Sequence, residues 1–574
     1  MKKTLLSVFS VIICYTLLIT GCGKILPVST EPGTTKAADP ATEPGTADVT
    51  YLDVPTGTIN PDETGAEPET SEASPDATTE AEPATEPNTD DSTYLDVPTG
   101  TFPADETSST EPEPQTLTVT VTNTGGRPES ECWSCDDSLG RYSFYHACTV
   151  TVSGSGKNIL FYVNAYNEEI TFVLEDATVE NTGMSVFSFD NATLVTVRLG
   201  GASGSSLKSD SPVISSGVDV KFSSGETGKA LKLSSGDSCV FAENIEFNGI
   251  SCEIESPGRG VYARGNLKII DSRVTVKSNV TAVECNELKS SGSSAIDLTG
   301  SDGIRAHENV SINSTDLKIV ADSQCVDGDK GIIISGNTLD LLSKNGNCLT
   351  ARTTDGVPGQ MTISSKDARF SAPEGIVFSA EGVVSVNSGK ITVRDTATLV
   401  RCSIFNVPST LLDVEARLAF GCENAVIGGV SGTPNRFKVD RIVENESNHL
   451  SLTKEYSVFT VKDDSVSLKP DSTRGNVIII GRANVSIYGS NAVVFGSFEG
   501  EEKTNRTSTF TVKPGEYKLY NVSDMNTPLA SFTVDGEYAG LTIAGVRLYY
   551  GDSYILDGPS KVEWTQSDNR LFIP

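Results

Sequence analysis

The stretches GVYARGNLKIIDSRVTVKSN (Gly260–Asn279) and GIRAHENVSINSTDLKIVAD (Gly303–Asp322) follow one pattern: a glycine, an apolar residue, then two short apolar alternations. That apolar residue recurs at Val261, Val283, Ile304, Val326, Leu349 and Ile376, at spacings of 22, 21, 22, 23 and 27. The first alternation returns as Leu267/Ile269, Leu288/Ser290, Val310/Ile312, Ile332/Ile334, Met361/Ile363 and Val384/Val386. The second returns as Val274/Val276, Ile296/Leu298, Leu317/Ile319, Leu339/Leu341, Ala368/Phe370 and Ile391/Val393. Period-two alternation places these side chains on one face of each strand, and coils stacked about 4.8 Å apart bury them in a continuous column. Hairpins would not give one period with two strands at constant offset. The predicted fold is therefore all-β, a right-handed parallel β-helix with function along a long flat face. Glycines at the corners (Gly260, Gly265, Gly303, Gly331, Gly336, Gly375, Gly382) are expected to supply positive φ.

Outward from this repeat, four segments separate. Residues 1–22 form a secretory signal, with Lys2 and Lys3 ahead of an apolar run from Leu5 to Leu18. Ile19-Thr-Gly-Cys22 resembles a bacterial lipobox, so Cys22 is the expected lipidation site and the only membrane attachment, since nothing later is apolar for long enough to span a bilayer. Residues 23–115 are rich in Thr, Pro, Glu and Asp and nearly free of large apolar residues, which predicts a disordered acidic linker. Fully extended it would reach roughly 290 Å. Within it, Tyr51–Thr58 returns as Tyr94–Thr101 and Asp62–Thr64 as Asp105–Thr107, a 43-residue period that reads as a duplicated spacer or as a short motif for a partner. Residues 116–490 are assigned to the β-helix and 491–574 to a β-rich closing segment.

The chain of 574 residues has a net charge of −32, and residues 28–115 hold 21 Asp or Glu against one Lys. The acidity belongs mostly to the linker. It argues against nucleic-acid binding, as does the lack of a basic patch with interleaved aromatics.

Ten of the twelve cysteines lie beyond Cys22, in a compartment that permits disulfides. Cys132-Trp-Ser-Cys135 has no second CxxC or His pair to complete a zinc site, so it is a candidate structural disulfide. Cys325 and Cys348 hold one position of successive coils, close enough for a disulfide or for stacked free thiols. The three histidines, His146, His307 and His449, are too scattered for a catalytic triad or a metal centre. Asp302, Asp322, Asp327 and Asp329 cluster at one corner of adjacent coils; Asp302, Asp327 and Asp329 are the candidate ligands of a possible Ca²⁺, which takes six to eight hard oxygens. Asp also favours turns for local reasons.

Ile170–Leu207 and the two opening stretches resemble the repeats of bacterial carbohydrate-binding β-helix lipoproteins, and the stretch from Tyr517 to Leu556 resembles that family's closing β segment. The similarity covers residues 145–560. It implies a fold related to pectate lyases and a noncatalytic protein that binds plant-wall polysaccharide such as cellulose or pectin, with Ca²⁺ at coil corners. Only Asp302 sits on the family's Asp-Gly-Ile pattern; Gln324-Cys325 and Asn347-Cys348 replace it in the next coils.

The expected protein is thus not an enzyme but a monomeric, lipid-anchored module at the bacterial cell surface that binds polysaccharide. A polysaccharide lyase would share the fold; Lys330 or Arg305 would then be the base acting on pectate with Ca²⁺ assistance. A surface adhesin for a protein ligand is the third class. With only Trp133 and Trp564, a flat polar groove aided by tyrosines is expected rather than a tryptophan platform.

Overall fold

The computed structural model describes residues 117–573, less 225–228, 446, 463–472 and short stretches between 482 and 569. Each coil carries three strands, for example Val261–Ala263, Asn266–Ile270 and Arg273–Ser278, here called short, middle and last. Each pairs in parallel with its counterpart in the next coil: Val261 with Val283, Leu267 with Leu288, Val274 with Ile296. The parallel solenoid runs over residues 141–480 in about 14 coils. The first described residues form an antiparallel cap instead, Thr118–Asn123 against Cys148–Lys157 and Trp133–Asp136 against Arg141–Phe144. At the other end Thr473–Ile480 turns back antiparallel onto Asn484–Tyr488, and a five-stranded antiparallel sheet follows. Among the described residues no helix is long and apolar enough to cross a membrane.

Both alternations read from the sequence line the core as expected, and the recurring apolar position belongs to the short third strand. Its last member is corrected: Leu349 pairs with Phe378, not Ile376. The cause is a corner insertion before Gln360, closed by a bridge between Thr354 and Val357, after which the coil keeps one offset of 29 residues from its predecessor, from Gly331 with Gln360 to Leu349 with Phe378. Inward side chains such as Val276, Leu298, Ile319 and Leu341 are almost wholly buried. Each contributes about 1.5–3 kcal/mol by leaving water. Phenylalanines thicken the column towards both ends, Phe161 against Phe187 at 5.3 Å and Phe437 against Phe459 at 4.4 Å.

None of the seven corner glycines takes positive φ. All but Gly331 are needed for closeness: a Cβ on Gly260 would lie 2.6 Å from Ala282 O, and one on Gly303 2.5 Å from Cys325 O. Positive φ falls to other glycines such as Gly292, at 72°, and to polar residues such as Asp271 and Ser314, at 48° and 54°, residue types whose short side chains can bond locally.

Candidate functional site

A single outward position, the centre of the short strand, connects the residues singled out at the corners. Ser143, Tyr162, Ser188, Ser215, Phe241, Tyr262, Glu284, Arg305, Asp327, Thr350, Ser379 and Arg401 occupy it coil after coil. Alternation turns these residues out while their neighbours pack the core. The column has an aromatic part and a charged part.

In the charged part, each carboxylate already has a protein partner. Glu284 is buried between Arg259 Nε at 2.6 Å and His307 Nε2 at 3.6 Å. His307 Nδ1 lies 3.6 Å from Asp329, which is 4.0 Å from Arg352 Nε. Arg352 donates from Nε to Asp327 Oδ1 at 3.1 Å and from Nη2 to the second oxygen. This fork is the strong geometry for a carboxylate. Burial nevertheless pushes the Asp327 carboxyl above its ordinary range, against the pull of Arg352.

The proposed calcium ligands do not come together. Asp327 and Asp329 face Arg352, while Asp302 sits three residues before its coil's outward position, Arg305, and accepts the Gln324 N–H at 3.3 Å. Among the described residues no group of three or more His, Cys, Asp or Glu is arranged to hold a metal ion. These donors, bound to guanidinium, imidazole and amide, do not fit Ca²⁺, which needs several oxygens converging without competing cations. Lys330 is exposed and bonded to Glu308 at 2.7 Å, which raises its pKa and holds the proton that a lyase base would have to lose. Arg305 is exposed beside Asp327.

Nor does the Cys132–Cys135 spacing form a bridge. Cys132 ends a helical turn and is buried, donating to Pro128 O at 3.4 Å. Cys135 is exposed and bonds Asp137 at 3.0 Å, and both are free thiols. Cys325 and Cys348 are likewise free and buried in contact, as are Cys402 and Cys422. The signal, Cys22 and the linker lie outside the described residues.

The sequence reading missed the aromatic part. The Tyr162 hydroxyl donates to Asp190 at 2.7 Å, and the Arg141 guanidinium lies 4.1 Å from its ring centre. Phe241 and Tyr262 are 5.1 Å apart, with Arg264 4.7 Å from Phe241 and Arg259 5.1 Å from Tyr262. Counting the outward position backwards from Tyr262 by 21, 26, 27 and 26 residues would have found them. Elsewhere a groove of about 800 Å³ is lined by Arg394, Arg417, Lys438 and Lys462. Each of these cations is paired with a carboxylate, which makes the groove a poor anion site.

Compared with known proteins, the chain matches no family model, no curated protein and no solved structure.

Proposed function

We propose that this chain is a lipid-anchored cell-surface protein that binds plant-wall polysaccharide and does not cleave it. The β-helix is compatible with carbohydrate binding and with lyase activity, so the choice rests on side chains. The observation that carries it is the outward column, where aromatic rings and small polar residues are repeated at coil spacing. Such a column offers a polymer of sugar rings stacking faces and hydrogen-bond partners along one line. Support also comes from the resemblance of the repeats to carbohydrate-binding β-helix lipoproteins. The state of Lys330 weighs against a lyase, because its ammonium is held protonated by Glu308.

The test is a panel of soluble oligosaccharides titrated against the full-length protein in mild detergent, with and without chelator. Binding without products supports the reading. Polygalacturonate incubated with the protein and Ca²⁺ should yield no unsaturated uronates absorbing in the ultraviolet; their appearance, abolished by Lys330→Ala or Arg305→Ala, would replace binding with lyase action. Cys22→Ala should move the protein from the membrane to the soluble fraction, since one sulfur carries the anchor. Unchanged partitioning would remove the lipoprotein part of the proposal.

A further inference from the structure

Granting the carbohydrate-binding reading, we propose that the gap between Tyr162 and Phe241 is a subsite for a short stretch of uncharged glycan. Four consecutive coils put Tyr162, Ser188, Ser215 and Phe241 at the outward position. The outward positions that carry the two rings thus lie three coil spacings apart, roughly 14 Å, with a floor of two half-buried serines between them. Nothing larger than a hydroxymethyl group rises from that floor.

The rings are backed from outside the gap. Arg141, 4.1 Å from the Tyr162 ring centre, belongs to the coil before it. Arg264, 4.7 Å from Phe241, belongs to the coil after it, as does Tyr262. The outward positions between the two rings hold only serines, and that side of the rings is the one offered to a ligand. Tyr162 is also held in place: its hydroxyl is tied to Asp190 at 2.7 Å, which limits ring rotation and lowers the entropy cost of binding.

The rim supplies polar contacts. Asn191 Nδ2 donates to Asn164 Oδ1 at 2.8 Å, a bond that uses neither the Asn164 NH₂ nor the Asn191 carbonyl oxygen. Both residues and Asp190 are exposed. Paired amides and a carboxylate beside an aromatic face suit vicinal hydroxyls, while the ring carries the sugar's C–H face. The charge pattern selects against acidic sugars, because the rim carboxylate of Asp190 repels them and the guanidiniums of Arg141 and Arg264 are engaged by the rings. Arg264 is further engaged by Glu243, at 3.7 Å.

The experiment titrates full-length protein with cellohexaose, xylohexaose, mannohexaose and hexagalacturonate. At least one neutral probe should bind, and Tyr162→Ala and Phe241→Ala should each weaken it about tenfold. Ser188→Tyr, which fills the floor from an outward position without touching the core, should abolish binding at unchanged melting temperature; it keeps the test valid if an alanine variant fails to fold. Lys318→Ala, exposed on a last strand and outside the column, should bind like wild type. If a probe binds the wild type and the Tyr162, Phe241 and Ser188 variants equally, the subsite is wrong while the carbohydrate reading stands. If hexagalacturonate binds most tightly and loses affinity in the same variants, the assignment to uncharged glycans is overturned. No binding by any probe would remove both.

Discussion

The aromatic and charged parts of the outward column share strand geometry and parallel register, and differ in coil length and in what the side chains do with one another. From Glu284 to Arg352, opposite charges meet across coils and neutralise one another, so little is left for a ligand. From Tyr162 to Phe241, two serines keep the rings too far apart to touch. In a solenoid, vacancy at a surface position is decided by the residue one coil away, some twenty-odd positions off in sequence. Residue type alone does not mark a binding site here.

The widest way to break this comparison is to break the register both parts rely on. Ile319 is fully buried, and Ile319→Asp should destabilise the protein by about 3 kcal/mol or more, because an unpaired carboxylate enters the column. Urea denaturation would measure it, and a near-neutral result would mean that inward and outward faces are misassigned.

Arg352→Ala probes the charged part alone. It strips the buried Asp327 of its fork and Asp329 of a neighbour, and should cost about 1–2 kcal/mol, less than a wholly buried pair because Arg352 is itself exposed. Glycan affinity should stay unchanged. A drop in affinity with this variant would show that the ladder takes part in binding.

Asp327→Asn sharpens the same point through pH. Burial holds the Asp327 carboxyl above the ordinary aspartate value of 3.8, so the folded protein keeps this proton more tightly than the unfolded chain. Its contribution favours folding below that value and is lost as pH rises from there through the raised one. Melting temperatures of wild type and variant should therefore diverge between acid and neutral pH, the wild type losing ground as pH rises. The opposite slope would mean that Arg352 outweighs desolvation. The smallest effect belongs to Lys318→Asp, on the exposed face one residue before Ile319, which should stay within about 0.5 kcal/mol.

The solenoid was legible in the sequence because its core demands are periodic: a methylene-rich side chain every second residue, twice per coil. Ile376 was misplaced where the chain stopped being periodic: the insertion before Gln360 lengthened the coil to 29 residues, and an apolar residue at 27 stood in for Phe378. The corner glycines were seen but misread, because a close approach between coils leaves the same letter as a left-handed turn. The acidic corner was legible as acidic, yet its neutralisation was not, because Arg352 stands 25 residues from Asp327. Tyr162 and Phe241 escaped notice for a related reason. Outward residues have no apolar alternation to flag them, and their coils are longer than those that set the period.

Each coil of the parallel stack pairs with the coils before and after it, so its stability is a sum of local interfaces and the coils near an end can open without the rest. The Tyr162–Phe241 gap sits among the first parallel coils, just past the antiparallel cap. A glycan lying across it would bridge four successive coils from outside and act as a clamp on one end of the stack. Its presence would then be written in the amide exchange of strands it never touches, with protection rising on the inward residues of those coils and fading towards the middle of the stack.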